Sequence, residues 1–203
     1  MLHISHISHE YGKETILHDI SLTIENNTFN VITGESGSGK STLLSIVSTL
    51  LKPTKGELFF DTISSDNIPN INHFRNQKIG FIFQFHYLIS HLTVYENIAM
   101  VTKRSRSEIE ALLHTLDIEK LKHKYPDQIS GGQRQRVAVA RAMINRPQYI
   151  FADEPTGNLD SKNSSIVFNL LRELDATVIV ATHDLSRIHP SDRVITLKDG
   201  RLC

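Results

Sequence analysis

The chain has a single cysteine, Cys203 at its last position, so it cannot form an internal disulfide. It has no excess of either charge: Lys plus Arg is 22 and Asp plus Glu is 22, which removes the strongly basic surface expected of a dedicated nucleic-acid binder. It has no long apolar run. Stretches such as Thr177–Ala181, with Val-Ile-Val at the centre, fall far short of the ~20 residues that a membrane-spanning helix needs. The opening MLHISHISHEYGK lacks a basic stretch followed by an apolar one, so no secretory signal is expected. With the scarcity of cysteine, this favours a reducing, cytosolic setting. No repeat, low-complexity tract or Pro/Gly linker interrupts the 203 residues, a length that suits one domain or one core with an embedded subdomain. Disorder is excluded too, because 39% hydrophobic residues are enough to build a core.

What is present is a pattern of short apolar segments. Leu2–Tyr11, Ile16–Ile24 and Phe29–Thr33 read as strands, and so do Glu57–Phe60 and Lys78–Phe83. After Phe29–Thr33 a glycine-rich turn opens a helix, TLLSIVSTLL, which Lys52-Pro53 is expected to stop. From about 85 to 146 the strand signal nearly vanishes and the pattern becomes helical, with Glu108–Leu116 amphipathic. Strands return at Gln148–Ala152, Thr177–Ala181 and Arg193–Leu197, with a helix at about 161–174 between the first two. Such alternation predicts an α/β fold whose parallel sheet is covered on both faces. The expected organisation is a core of residues 1–84 and 148–203 that includes a small antiparallel β portion, with a helical subdomain inserted at 85–147.

Three motifs carry chemistry. The turn Gly34-Glu35-Ser36-Gly37-Ser38-Gly39-Lys40-Ser41 fits the phosphate-binding pattern GxxxxGK(S/T), in the required strand–loop–helix context. Gly34, Gly37 and Gly39 let the backbone curl so that N–H groups point at phosphate oxygens at the positive end of a helix. Lys40 supplies a positive charge for the β- and γ-phosphates, and the Ser41 hydroxyl offers a ligand to Mg²⁺. By itself this loop does not separate kinases, GTPases and transport ATPases. In Gln148–Glu154 an apolar strand ends on two adjacent carboxylates: Asp153 is placed to hold Mg²⁺ through its water shell, and Glu154 to polarise an attacking water. A solvated acidic turn is the plainer alternative. Residues 129–133, ISGGQ, precede a run at helical spacing. Ser130 fits an N-cap, so this start is either an ordinary cap or a second anion site.

The order GESGSGKS, Gln84 after KIGFIF, ISGGQ, YIFADEP, Asn158-Leu159-Asp160 and Thr182-His183 resembles an ATP-binding-cassette ATPase subunit over nearly the whole chain. The resemblance implies a phosphate-loop NTPase (RecA-like) core with an N-terminal antiparallel β subdomain and an inserted α-helical subdomain. It also implies two cassettes facing head to tail, a homodimer or cassette pair, with MgATP between the phosphate loop of one (through Thr42) and Ser130-Gly131-Gly132-Gln133 of the other. Gln84 would reach Mg²⁺ and the attacking water and would abut a membrane partner. Asp160 would lie at the dimer interface beside the site, His183 would contact the γ-phosphate, and Tyr11 would stack on adenine. The implied setting is the cytoplasmic face of a membrane, reached through separate integral permease subunits, with no nucleic acid bound. Ile129 stands where Leu is commoner. The chain ends soon after its last strand, at Lys198-Asp199-Gly200-Arg201, so no C-terminal regulatory domain is expected. Ile79–Met100 and Asp153–Asp160 are most similar to the group serving lipoprotein release, macrolide-type export and cell-division complexes.

A transport ATPase driving a separate permease is therefore the leading expectation. An ATP-gated regulatory module of a cell-division-type complex is the alternative, and the presence of both Glu154 and His183 favours turnover. A ribosome- or DNA-acting cassette would need two cassettes or long insertions, and a small-molecule kinase would leave ISGGQ and His183 unexplained. His3, His6 and His9 recur with a period of three, which on a regular strand alternates faces and precludes a shared metal. His73, His86, His91, His114 and His123 read as surface residues. The stretch from Gln84 to about Glu96 is expected to contact the membrane partner, with Phe85, Tyr87 and Leu88 as an exposed docking surface; a satisfied internal core is the plainer alternative.

Overall fold

A computed structural model describes residues 1–157 and 159–203. Asn158, one of the motif residues, lies outside the described residues. Two sheets organise the chain. The first is antiparallel and contains β1 (Leu2–Tyr11), β2 (Glu14–Ile24), β4 (Lys55–Phe60) and β5 (Ile63–Ser64) in the order β2-β1-β4-β5. The second contains β3 (Phe29–Thr33), β6 (Ile79–Ile82), β7 (Tyr149–Asp153), β8 (Thr177–Ala181), β9 (Arg193–Lys198) and β10 (Arg201–Leu202), in the order β10-β9-β3-β8-β7-β6. Its pairs are parallel except for the terminal β9–β10 hairpin.

The central strands are mostly apolar on both sides because both sides are covered. In β7 the pleat sends Tyr149 and Phe151 into a core shared with the antiparallel sheet and with helix α1 (Lys40–Val47), through Leu43, Leu44 and Val47. Ile150 and Ala152 enter the opposite core, which is built with α3 (Val94–Ala99), α4 (Arg106–Thr115), α5 (Gly131–Met143) and α6 (Ser161–Arg172). Helices α3, α4 and α5 occupy the stretch in which no strand was expected. Their apolar residues Ile98, Leu113 and Val137 join the same buried cluster as Ile150 and Val178.

Local chemistry moved some boundaries. Helix α1 ends at Val47, before Lys52-Pro53: Thr49 takes a left-handed φ of 66° and its N–H turns back to the Ile46 carbonyl at 2.8 Å. Helix α2 (Ile71–Lys78) was not anticipated, because it buries no residue fully and so shows no apolar stripe. Its start depends on the Asn70 side chain, which accepts from the His73 N–H at 2.9 Å.

The histidine period also reads differently in three dimensions. Strand β1 carries a bulge, since Ile4 pairs with Leu22 but Ile7 with Ile20, and His6 sits at φ 52°. The extra residue puts His3 and His6 on the same exposed face and turns His9 inward. His6 pairs with Asp19 at 2.7 Å and His3 with Thr23 at 2.9 Å. Among the described residues no cluster of three or more metal-ligating side chains occurs. Opposite the bulge, Gly56 of β4 has φ 89°, and a Cβ there would collide with the His6 carbonyl. Gly56→Ala should therefore destabilise the protein by about 1–3 kcal/mol, read by urea denaturation. An unchanged midpoint would mean that the bulge does not constrain β4.

Candidate functional site

The phosphate-type loop joins β3 to α1. Gly39 is the N-cap of α1 at φ 97°, and a Cβ there would press on Leu17 at 2.8 Å, so both conformation and space require glycine. Inside the loop the Lys40 ammonium, nine-tenths buried, donates to the Gly34 carbonyl at 2.9 Å and the Glu35 carbonyl at 2.8 Å. The buried Ser38 hydroxyl has no partner among the described residues. A buried cation and an unpaired buried hydroxyl beside a helix start are what a phosphate group would satisfy.

At the carboxyl end of β7 the two carboxylates part. Asp153 turns toward α1, where the Ser41 hydroxyl donates to its Oδ1 at 3.0 Å. Burial pushes the Asp153 carboxyl above its ordinary range; the Ser41 hydrogen bond opposes this, the Glu154 charge adds to it and Lys40 opposes it. Glu154 follows at φ 44°, a left-handed turn that aims its side chain at the end of β8. Its Oε2 accepts from the Thr182 hydroxyl at 3.0 Å. Its Oε1 accepts from the His183 backbone N–H at 3.0 Å and lies 2.7 Å from His183 Nδ1. The carboxylate is thus held at both oxygens, while the imidazole stays largely exposed.

A cleft of about 480 Å³ gathers Tyr11 with Ser36, Gly37, Gly39, Lys40, Ser41 and Thr42, and with Gln84, Glu154 and His183. Tyr11 is half exposed and packs edge-on against His9, with centroids 4.7 Å apart. The Gln84 amide lies against Gly157, where a Cβ would come within 2.8 Å of Nε2. Ser130–Gln133 and Asp160 do not line this cleft. Ser130 caps α5 reciprocally: its hydroxyl accepts from the Gln133 N–H at 3.3 Å and its own N–H donates to Gln133 Oε1 at 2.9 Å. Asp160 caps α6.

Three features escaped the sequence. Ile16 lines the cleft from β2 with no motif to mark it. Thr182 stands in a motif only as the neighbour of His183, and nothing there signals its role in orienting Glu154. Arg141 of α5 holds the segment after Gln84, donating to the His86 and Tyr87 carbonyls at 2.7 Å each. His86 is consequently half-buried rather than a surface residue, and burial, then the Arg134 charge, push its imidazole below the usual range. Leu88 packs against the core, whereas Phe85 and Tyr87 are 62% and 63% exposed.

The profile of the ABC transporter family matches residues 17–157. The chain is 45% identical to the lipoprotein-releasing system ATP-binding protein LolD 1 of Chlorobium chlorochromatii, over 94% of this chain and 83% of that protein. It is 42% identical to LolD of Leptospira interrogans, over 95% and 86% respectively. Its fold superposes on the dimeric structure of the bacterial ABC transporter cassette MJ0796 with a TM-score of 0.90 at 38% identity, covering 100% of this chain and 96% of that one. A post-hydrolysis dimer of MJ0796 bound to ADP and Pi gives a TM-score of 0.88 at 36% identity, with the same coverage. The chain belongs to the ABC transporter family, as an ATP-binding cassette ATPase subunit.

Proposed function

We propose that the chain is the ATPase motor of a lipoprotein-releasing type of transporter, working as a head-to-tail dimer beneath separate membrane permease subunits. The observation that carries the residue-level reading is the convergence of Lys40, Ser41 and the Glu154–His183 pair on one cleft that Ser130 does not line, with Asp153 bonded to Ser41 behind it. A second chain facing that cleft would supply Ser130-Gly131-Gly132-Gln133 and Asp160. No helix among the described residues is long and apolar enough to cross a membrane, so the permease would carry the path. The exposed Phe85 and Tyr87, next to Gln84, are the proposed contact with it, which would place the cassette on the cytoplasmic membrane face.

The Ser41 hydroxyl and Asp153 carboxylate, hard oxygens 3.0 Å apart with the Gln84 amide in the same cleft, suit Mg²⁺, which takes few protein ligands and completes its shell with phosphates and water. When bound, Mg²⁺ neutralises charge on the β- and γ-phosphates. Lys40 would exchange its two loop carbonyls for phosphate oxygens, and Tyr11 would stack on the adenine. Glu154 is the general base: it takes the proton as water bonds to the γ-phosphorus and the bridging oxygen leaves with ADP. Thr182 and the His183 N–H fix that carboxylate, and the exposed imidazole is placed to contact the γ-phosphate.

Glu154→Gln should lower phosphate release by about 10²–10⁴-fold while ATP-bound dimers accumulate in gel filtration. Normal turnover by a monomeric variant would return Glu154 to an ordinary acidic turn. Asp153 gives a test of opposite sign. Because burial raises its pKa, the ionised carboxylate costs stability, and that cost grows as pH rises through the folded pKa and is absent below the ordinary 3.8. Asp153→Asn should therefore melt higher than wild type at pH 7, with the gap narrowing toward pH 4, while Mg²⁺-dependent hydrolysis is lost. A lower melting temperature at pH 7 would refute the burial argument. For the dimer, Lys40→Ala and Ser130→Arg chains should each fail to dimerise on MgATP. Mixed, they keep one intact composite site and should recover association by light scattering. Failure of subunits shown to exchange would refute the head-to-tail arrangement.

A further inference from the structure

The first turn of α6 is tied to other parts of the chain by contacts that the site above does not use. Asp160 Oδ1 accepts from the Asn163 backbone N–H at 2.9 Å, and Asp160 Oδ2 accepts from the Asn163 side-chain amide at 2.7 Å. The second bond orients the Asn163 side chain, which also lies on Gly132, the second residue of α5. A Cβ at Gly132 would stand 2.7 Å from Asn163 Oδ1 and 2.8 Å from its Cγ. Gly132 is buried and helical, so glycine is required there by close approach. From the loop after β8, Arg187 bonds the Ser161 and Ser165 hydroxyls of the same helix at 2.8 and 2.7 Å, and Asp184 at 3.3 Å. The start of α6 is therefore held firmly in place.

In the head-to-tail dimer proposed above, Ser130 and Asp160 are the two elements that one chain brings to the other chain's cleft. Within one chain a single side chain touches the start of both helices that carry them. We propose that Asn163 is a positioning residue that acts in trans, locking the Asp160 cap to the first turn of α5 so that both reach the partner's ATP in fixed register. The inference rests on the head-to-tail reading. It predicts a defect in the site across the interface and not in the site whose Lys40 shares a chain with the substitution.

Mixed dimers of full-length chains, purified through two different affinity tags, separate these. Lys40→Ala in one chain leaves one live site, made from Lys40 of the other chain and Ser130 and Asp160 of the Lys40→Ala chain. Adding Asn163→Ala to the Lys40→Ala chain should lower MgATP turnover by about ten- to a hundredfold, the usual cost of misplacing a reacting group by an ångström or less. Moving Asn163→Ala to the chain with intact Lys40 should leave turnover within about twofold, because that chain's α5 start then faces the dead site. Asn163→Asp, which keeps the side-chain shape but replaces the amide donor with a charge facing Asp160, should show the same asymmetry. Equal losses in both placements, a loss confined to the Lys40 chain, or failure of both variants to fold would overturn the proposal. A one-site dimer without any Asn163 substitution that fails to associate on MgATP would instead overturn the composite site itself, and this proposal with it; in one that associates but does not turn over, the same asymmetry is read in MgATP-driven association by light scattering.

Discussion

The constraint on which the rest of the structure depends is that β3, β7 and β8 have no free face. A strand covered on both sides is apolar along most of its length and admits only neutral polar groups such as the hydrogen-bonded Asn30 amide, so charged groups are pushed to the strand ends. The ladder places those ends level: Ile32 pairs with Ala181, and Asp153 with Ala181 across the next gap. A slip of one residue would exchange Tyr149 and Phe151 for Ile150 and Ala152 between two differently shaped cores, so the register is strongly specified. The phosphate-type loop, the Asp153-Glu154 pair and Thr182-His183 consequently leave the sheet together at the carboxyl ends of its strands, where ligand sites of α/β sheets lie.

Assembling that end of the sheet opposes stability. Burial disfavours the ionised form of Asp153, Glu154 holds a left-handed backbone without being glycine, and Lys40 is nine-tenths buried. Each is offset locally. Ser41 and Lys40 partly compensate Asp153, loop carbonyls satisfy Lys40, and three donors fix the Glu154 carboxylate. These groups are oriented by tertiary contacts before any nucleotide is considered, which is the preorganisation an electrostatic catalyst needs.

The same chain presents a second set of groups at the starts of α5 and α6. Their caps are complete within the chain, Ser130 with Gln133 and Asp160 with Asn163, so both helix starts are rigid surfaces. Arg141 joins α5 at its other end to the segment carrying the exposed Phe85 and Tyr87. Helix α5 is therefore in contact with both the proposed membrane-facing segment and the proposed dimer-facing turn. A displacement of one has a rigid element along which to reach the other.

The sequence by itself determined the parallel strands of the central sheet and the phosphate-type loop with the residues around it, because these depend on local rules, but not the two-residue β10 that pairs back on β9 at Arg201–Leu202. Apolar runs of strand length, glycine at left-handed positions and hydroxyls at helix starts are each legible within a few residues. Phe29–Thr33 and Thr177–Ala181 matched to the residue for that reason. Only the tertiary structure decided what depends on the space between segments. The bulge in β1 turned His6 outward beside His3, the desolvation of His86 came from α5 lying against it, and Leu88 joined the core while its neighbours stayed exposed. The pairing of Glu154 with Thr182 and His183 joins residues 28 and 29 positions apart. Its partners are chosen by the ladder between β7 and β8, and no local pattern encodes a distance across a sheet.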